Sequence, residues 1–278
     1  MEQTNRIEGK TKIITFFGID PQIGFFVSKD DVTAGNGKRH DVLPGKGELS
    51  NRTTCNVFEY LRQQDVPLAY IGKDDPVTFI AWFCKMIPVE VVVRTIATGS
   101  YLKRNPEVNE GTVLDKPIVE FFYKTTGQKF GGVDLPCDDP LMVFDDSNTD
   151  GFNLYNPEQP ISYENIIGHA FSLYNDAECS LLREQLSECV KLARIVNHLL
   201  FSAWEYVDGD LHDFKLEFGI HPRTGKIVLA DVVDCDSWRV MWNNIKLSKQ
   251  SYREGCDLRK LFEIYSLAAT LTDRFPKF

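Results

Sequence analysis

Asp213-Phe-Lys-Leu-Glu-Phe-Gly219 and its return, Lys226-Ile-Val-Leu-Ala-Asp-Val232, decide how this chain is read. The first arm alternates charge with apolar bulk. Lys215 and Glu217 fall on one face of a strand, and Phe214, Leu216 and Phe218 fall on the other. His221-Pro-Arg-Thr-Gly225 supplies a turn, and the second arm is β-branched. The two arms therefore read as an antiparallel hairpin. A register that keeps odd positions together would bring Asp231 to Lys215 and Glu217. Two carboxylates, with substrate phosphates and water, make a usual Mg²⁺ site. The plain alternative is a solvated face with a surface ion pair, worth ~0–1 kcal/mol. Spacing alone leaves both readings open.

The chain has 278 residues, enough for one large domain or two lobes. Its net charge is −9, with Lys and Arg scattered, which argues against a nucleic-acid surface but not against small anionic ligands. No apolar run reaches transmembrane length and no leader-like segment opens the chain, so a cytoplasmic protein without membrane contact is expected. Seven cysteines form no C-x-x-C, and the histidines form no H-E-x-x-H. Free thiols in a reducing compartment and no zinc site follow.

Outward from the hairpin, residues 6–86 read as a strand-rich lobe with one helix. Strands are expected over 12–17 and 24–29, with a turn at Asp20-Pro21. Glu8-Gly-Lys-Thr-Lys12 places a glycine beside two lysines at a strand mouth, either an exposed basic turn or a phosphate cover. Residues 28–37 carry too many turn formers for regular structure. Gly37-Lys38 and Gly45-Lys-Gly47 do not complete G-x-x-x-x-G-K-[ST], because Arg39 and Glu48 occupy the hydroxyl positions; a Walker-type NTPase is excluded. A helix over 48–63 buries Leu49, Val57, Phe58 and Leu61.

Strands over 68–71, 78–86 and 89–96 follow, with Pro88 separating the last two. In Arg94-Thr-Ile-Ala-Thr-Gly-Ser-Tyr-Leu-Lys-Arg104, Ser100 reads as the N-cap of a short helix. That helix start and Arg94 read as either simple capping or an anion pocket. A strand over 119–124 precedes a Gly-, Pro- and Asp-rich excursion over 125–160, in which Asp145-Asp146 reads as an acidic turn. Ser162 is expected to cap a helix of three turns. The longest helix, 176–207, carries a stripe from Leu182 to Val207. A last helix spans 257–274.

Glu8-Gly-Lys-Thr-Lys12, Met86-Ile-Pro-Val-Glu90, Arg94 to Arg104, Val119-Glu-Phe-Phe-Tyr-Lys124, Asp213 to Gly219, Leu229-Ala-Asp231 and Asp236-Ser-Trp-Arg239 occur in the order seen in the SAICAR synthetases. The chain resembles that family over nearly its whole length. Ser28-Lys-Asp-Asp-Val-Thr-Ala-Gly-Asn36 and Lys249-Gln-Ser-Tyr-Arg253 resemble the animal-type branch, without its carboxylase domain. The resemblance implies an α+β, two-lobed fold: a kinase-like N-terminal lobe (1–86) and an ATP-grasp-like C-terminal lobe (87–278).

It also implies a ligase of purine synthesis. ATP would phosphorylate the carboxylate of carboxyaminoimidazole ribonucleotide (CAIR), and L-aspartate would displace the phosphate to give SAICAR. Gly9, Lys10 and Lys12 would cover the ATP phosphates, and Met86 to Glu90 would form the adenine hinge. Glu217 and Asp231 would hold Mg²⁺, and Lys215 would neutralise phosphate or carboxylate charge. Arg94, Ser100 and Arg239 would grip the CAIR phosphate, with Lys124 and Asp139 near the reacting carboxylate. A homo-oligomer is compatible with this reading.

Three departures from the family pattern stand out. About a dozen extra residues precede Asp139-Pro140, Ser248 stands where many relatives have aspartate before the lysine, and the early loop follows its own pattern from Asp30 to Gly37. Two other classes compete: a small-molecule kinase of the same form, which the absence of H-R-D-x-x-x-x-N and D-F-G opposes, and an inactive nucleotide sensor, which the Lys215, Glu217 and Asp231 set opposes.

Overall fold

The computed structural model describes residues 4–17, 22–35, 39–125, 127–144 and 151–277. Strands β1 (Thr4–Glu8), β2 (Lys12–Phe17) and β3 (Ile23–Ser28) lead to a ribbon of β4 (Asp31–Ala34) and β5 (Arg39–Val42). Helix α1 (Lys46–Gln63) is followed by β6 (Tyr70–Lys73), β7 (Thr78–Trp82) and β8 (Lys85–Ile96). A short α2 (Ser100–Arg104) precedes β9 (Val113–Tyr123), β10 (Lys129–Phe130), β11 (Val133–Asp134), β12 (Leu141–Phe144), β13 (Phe152–Tyr155) and β14 (Ile166–His169). Then come α3 (Asp176–Tyr206), β15 (Gly209–Ile220), β16 (Ile227–Leu229), β17 (Trp238–Trp242), β18 (Ile245–Lys246), α4 (Gln250–Arg253) and α5 (Leu258–Thr272).

These elements form two compact units. One comprises residues 1–86, 198–211 and 218–278; the other comprises 87–197 and 212–217, so β15 contributes to both.

In the first unit an antiparallel sheet runs in the order β1-β2-β3-β7-β6. Helix α1 covers it with Val57, Phe58 and Leu61, all buried. Phe58 meets Tyr70 and Phe79 at ring-centroid distances of 5.2 and 6.1 Å. Aromatic side chains carry large apolar area, so these few rings supply much of the core. Asp257 caps α5 by accepting the Lys260 N–H at 2.7 Å, and Arg52 of α1 pairs with Asp273 just beyond α5.

In the second unit one sheet has the order β14-β13-β12-β9-β8-β15. Phe122, Leu141 and Tyr155 form a core with Val92, Val143 and Ile166 against it. Tyr123 faces the other way and joins Phe130, Phe152 and Tyr174; its hydroxyl meets that of Tyr174 at 2.7 Å. The part of the α3 stripe in this unit is buried, including Leu182, Leu186, Cys189, Ala193 and Val196, as its period requires.

Four sequence expectations change. Of residues 28–37, the described 28–35 are not all irregular: Asp31 to Ala34 pair with Arg39 to Val42, because Asp30 fixes the ribbon's base by accepting the N–H groups of Gly45 and Gly47 at 3.1 and 2.8 Å. The strand break falls at Phe83-Cys84, while β8 runs through Pro88, whose carbonyl accepts the Lys124 N–H at 2.9 Å. Among its described residues the 125–160 excursion holds four strands, because the buried rings Phe130 and Phe152 pack with Tyr123. After Ser162 there is one 3₁₀ turn and then β14, with no side-chain cap. The turn expected at Asp20-Pro21, the residues 36–38 and the acidic pair Asp145-Asp146 lie outside the described residues.

Candidate active site

The opening hairpin forms, and its register, left open by the sequence, sets odd positions against even ones. Phe218 pairs with Leu229, Gly219 with Val228 and Ile220 with Ile227. The His221 N–H bonds the Lys226 carbonyl at 2.8 Å, leaving four loop residues between them. An even loop sets odd positions against even ones. The return arm then leaves the ladder, because Leu229 exchanges backbone bonds with Pro67 and Ala69 at 2.9 and 2.8 Å. Asp231 therefore lies in a bend beyond β16, where its carboxylate accepts its own neighbour's Val232 N–H at 2.8 Å and forms an ion pair with Lys12.

Lys12 starts β2, and the turn before it is closed by the Gly9 N–H bonding the Lys12 carbonyl at 2.9 Å. Gly9 and Lys10 are exposed. The first unit thus joins the basic turn and Asp231 through one lysine. Met86, on β8, is 42% exposed, and Gly219 lies beside it. A Cβ at Gly219 would sit 2.6 Å from Cys84 Cβ and 3.2 Å from the Met86 sulfur, so this glycine permits a close backbone approach.

The second unit places the other residues on one sheet face. Glu90 pairs across with Phe122, Val92 with Glu120 and Arg94 with Ile118, so the even positions of β8 and β9 share a face. At one end of it Arg94, 3% exposed, donates to Glu120 at 2.6 Å and to Asp213 at 2.5 Å. Glu120 also pairs with Arg104, which is 6% exposed. Arg94 reaches the Ser100 hydroxyl at 3.4 Å. Gly99, at φ 61°, occupies the N-cap position of α2, and Ser100 is the first helical residue rather than the cap. The Arg94 guanidinium is held by two carboxylates through Nε and Nη1, with Nη2 turned to Ser100.

At the other end Lys215 donates to Glu90 at 2.7 Å and Lys124 to Glu217 at 2.6 Å. The two lysine side chains are 36% and 40% exposed, and the Glu217 side chain 8%. Glu90, placed at the adenine hinge by resemblance, is engaged here through its side chain. Asp139 accepts the Thr125 N–H at 3.1 Å, in a left-handed backbone at φ 43°. Burial pushes its carboxyl above the usual range, nearby Glu90 adds to that, and Lys124 pulls the other way. Five carboxylates (Glu90, Glu120, Asp139, Asp213, Glu217) stand against four cations (Arg94, Arg104, Lys124, Lys215) in this unit's site. Among the described residues no three His, Cys, Asp or Glu side chains cluster as a ready-made metal cage. That donor set suits Mg²⁺, which takes one or two carboxylates and leaves other positions to phosphate and water.

One charged group is absent from the sequence reading. Lys46, 1% exposed at the start of α1, points to Asp236 at 3.7 Å. Asp236 is also bound by Lys249 at 3.2 Å and by the Tyr265 hydroxyl. Burial pushes the neighbouring Asp234 carboxyl up, whereas Lys46 and Lys249 overcome burial and hold Asp236 well below the carboxylate range. A lysine in the first turn of a helix opposes the helix dipole. The sequence alone gives no such signal, because the helix expected over 48–63 leaves Lys46 outside it and the Gly-Lys-Gly setting fails as a P-loop. Arg239 lies half-buried on β17, and its charge reaches Glu254.

Comparison with known proteins identifies the family. The SAICAR synthetase family model matches residues 5–130 and 149–264. Its interruption falls in the excursion where the extra residues precede Asp139. The phosphoribosylaminoimidazole-succinocarboxamide synthase of Roseiflexus sp. is 37% identical over 267 residues, covering 92% of each chain. The multifunctional protein ADE2 of Gallus gallus is 36% identical over 89% of this chain, which spans 51% of that protein. Among solved structures, a SAICAR synthetase in complex with ADP matches with a TM-score of 0.73 and 27% identity over 99% of this chain and all of that one. The Ehrlichia chaffeensis synthase matches with a TM-score of 0.73 and 26% identity over 98% and 99%. Among the described residues no helix is long and apolar enough to cross a membrane. The chain belongs to the SAICAR synthetase family, the ATP-dependent ligases that form SAICAR in purine biosynthesis.

Proposed function

We propose that the chain joins L-aspartate to the carboxylate of CAIR through an acyl phosphate, with ATP as phosphoryl donor and Mg²⁺ as its metal. The observation that carries this reading is the pair of lysine–carboxylate contacts at one end of the second unit's sheet, Lys215–Glu90 and Lys124–Glu217. Phosphoryl transfer asks a protein for positioning and charge neutralisation more than for covalent chemistry. Half-exposed lysines on flexible stems can swing from a carboxylate to a phosphate oxygen.

In this reading Lys215 neutralises the transferring phosphoryl group and Lys124 orients the CAIR carboxylate, with Asp139 beside it. Gly9, Lys10 and Lys12 cover the nucleotide phosphates, and the strand from Met86 to Glu90 borders adenine, where Gly219 leaves room. Ser100 and Arg239 hold the CAIR phosphate, with Arg94 fixing Ser100 from behind. Glu217 and Asp231 would hold Mg²⁺, which would supply charge neutralisation at the phosphates. The balance is simple: a CAIR carboxylate oxygen attacks the γ-phosphorus and ADP leaves, then the aspartate amine attacks the acyl carbon and phosphate leaves as the amine loses a proton. The protein acts on small molecules in the cytoplasm, and a homo-oligomer is compatible with this reading.

The test is ADP release from the purified protein with ATP, Mg²⁺, CAIR and aspartate. Full turnover requires both CAIR and aspartate. Release driven by a hydroxyl acceptor, with aspartate irrelevant, would replace the ligase by a kinase.

A further inference from the structure

We infer that the buried cluster Lys46–Asp236–Lys249–Tyr265 is a positioning device that sets the Asp231-to-Arg239 segment for metal and CAIR binding. The inference rests on the roles proposed above for Asp231 and Arg239.

The segment between them is Asp231-Val-Val-Asp-Cys-Asp-Ser-Trp-Arg239, and most of it lies outside any strand. It is folded on itself by short-range bonds. Ser237 Oγ accepts the Asp234 N–H at 2.8 Å, Asp234 Oδ1 accepts the Asp236 N–H at 2.8 Å, and the Asp234 carbonyl accepts the Ser237 N–H at 2.9 Å. Two bonds then anchor it to the residues around β18: Lys249 N–H to the Cys235 carbonyl at 2.9 Å, and Trp238 Nε1 to the Leu247 carbonyl at 2.9 Å.

Asp236 is the point where three other elements grip this segment. Lys46 comes from α1, Lys249 from the residue before α4, and Tyr265 from α5. Lys46 and Tyr265 are each 1% exposed and lie beneath, whereas the Lys249 side chain is 12% exposed. Lys46 also lies over the Tyr265 ring, 5.6 Å from its centroid. Helix α4 extends the grip to the β4–β5 ribbon: Arg39 stacks on Tyr252 at 3.8 Å and bonds its carbonyl at 2.8 Å, and Tyr252 donates to Asp41 at 2.6 Å. Ser248 supports the same helix by accepting the Gln250 N–H at 3.3 Å.

A bare ionic staple of this depth is a poor way to gain stability, because desolvation offsets most of the attraction. It does fix direction, since Asp236 has two lysines and a hydroxyl around it. Residues behind metal ligands commonly act this way. Asp236 lies five positions after one proposed ligand and three before the proposed phosphate clamp, so its placement sets both.

The experiment compares Tyr265→Phe, Lys249→Met, Lys249→Arg and Lys46→Met in the whole protein by steady-state kinetics and thermal melting. Tyr265→Phe removes one oxygen and keeps every ring contact, so it reports even where Lys46→Met does not fold. The expected result is a rise of about tenfold in both the Mg²⁺ requirement and the CAIR KM, an unchanged KM for aspartate, and recovery in Lys249→Arg relative to Lys249→Met. A lowered melting temperature with unchanged Mg²⁺ and CAIR constants would overturn the inference and leave the cluster purely structural. Asp231→Asn separates the two layers: if it is fully active, the metal reading fails and this inference with it; if it is crippled while Tyr265→Phe is normal, only the inference fails.

Discussion

The two ends of one sheet face in the second unit solve the same electrostatic problem differently. At one end Arg94 and Asp213 have side chains 4% exposed and are joined at 2.5 Å, with Glu120 and Arg104 completing a closed set. At the other end Lys124 and Lys215 have side chains 40% and 36% exposed, each resting on one carboxylate. Arginine is always charged and makes fixed, forked bonds; lysine is a point charge on a flexible stem. The arginine end is a buried frame, and the lysine end is the one proposed above to carry movable charges. The difference teaches how burial and chemistry would divide the work in a binding motif, with Arg94 proposed to serve Ser100 by staying still.

The contrast can be broken most severely at the frame. Arg94→Met leaves Asp213 and Glu120 buried with one cation fewer, a class of change that costs ~3–5 kcal/mol. Urea denaturation should show that loss, and an unchanged midpoint would remove the frame. Next comes Glu217→Gln, nearly isosteric, at the movable end. It should lower kcat by roughly 10²-fold, the scale for losing one fixed electrostatic contact at a reacting centre, while circular dichroism and melting stay close to wild type.

The smallest effect is at Asp139, whose carboxyl is raised by burial. Its folded value lies above its unfolded one, so its contribution to stability is present at low pH and is lost as pH rises through the folded value. Asn tolerates the same left-handed backbone. Asp139→Asn should therefore be more stable than wild type at neutral pH, and the gap should close on acidification. A gap that widens in acid would reverse the assigned cause.

The long periodic elements were legible from residues alone: α1, α3 and α5 lie within two residues of their sequence bounds, because a helix stripe repeats over many turns. What failed was set at a distance. Residues 28–37 look like a loop until Asp30 is seen holding the start of α1. The strands of residues 125–160 need Tyr123 and Tyr174 from outside that stretch. The hairpin register depended on the parity of a short loop, and the departure of Asp231 depended on Pro67 and Ala69. Alternation did find Lys215 and Glu217 on one face, and the family resemblance supplied the partners. Neither reached Lys46, since burial of a lysine leaves no mark in spacing.

The most direct test of the account is Lys215→Met, measured for kcat at saturating ATP, Mg²⁺, CAIR and aspartate and for urea midpoint in the same preparation. The expected result is a fall in kcat of roughly 10²–10³-fold with stability within about 1 kcal/mol of wild type. Full turnover with a large loss of stability would contradict it, placing Lys215 in the frame and leaving the lysine end without its chemical role.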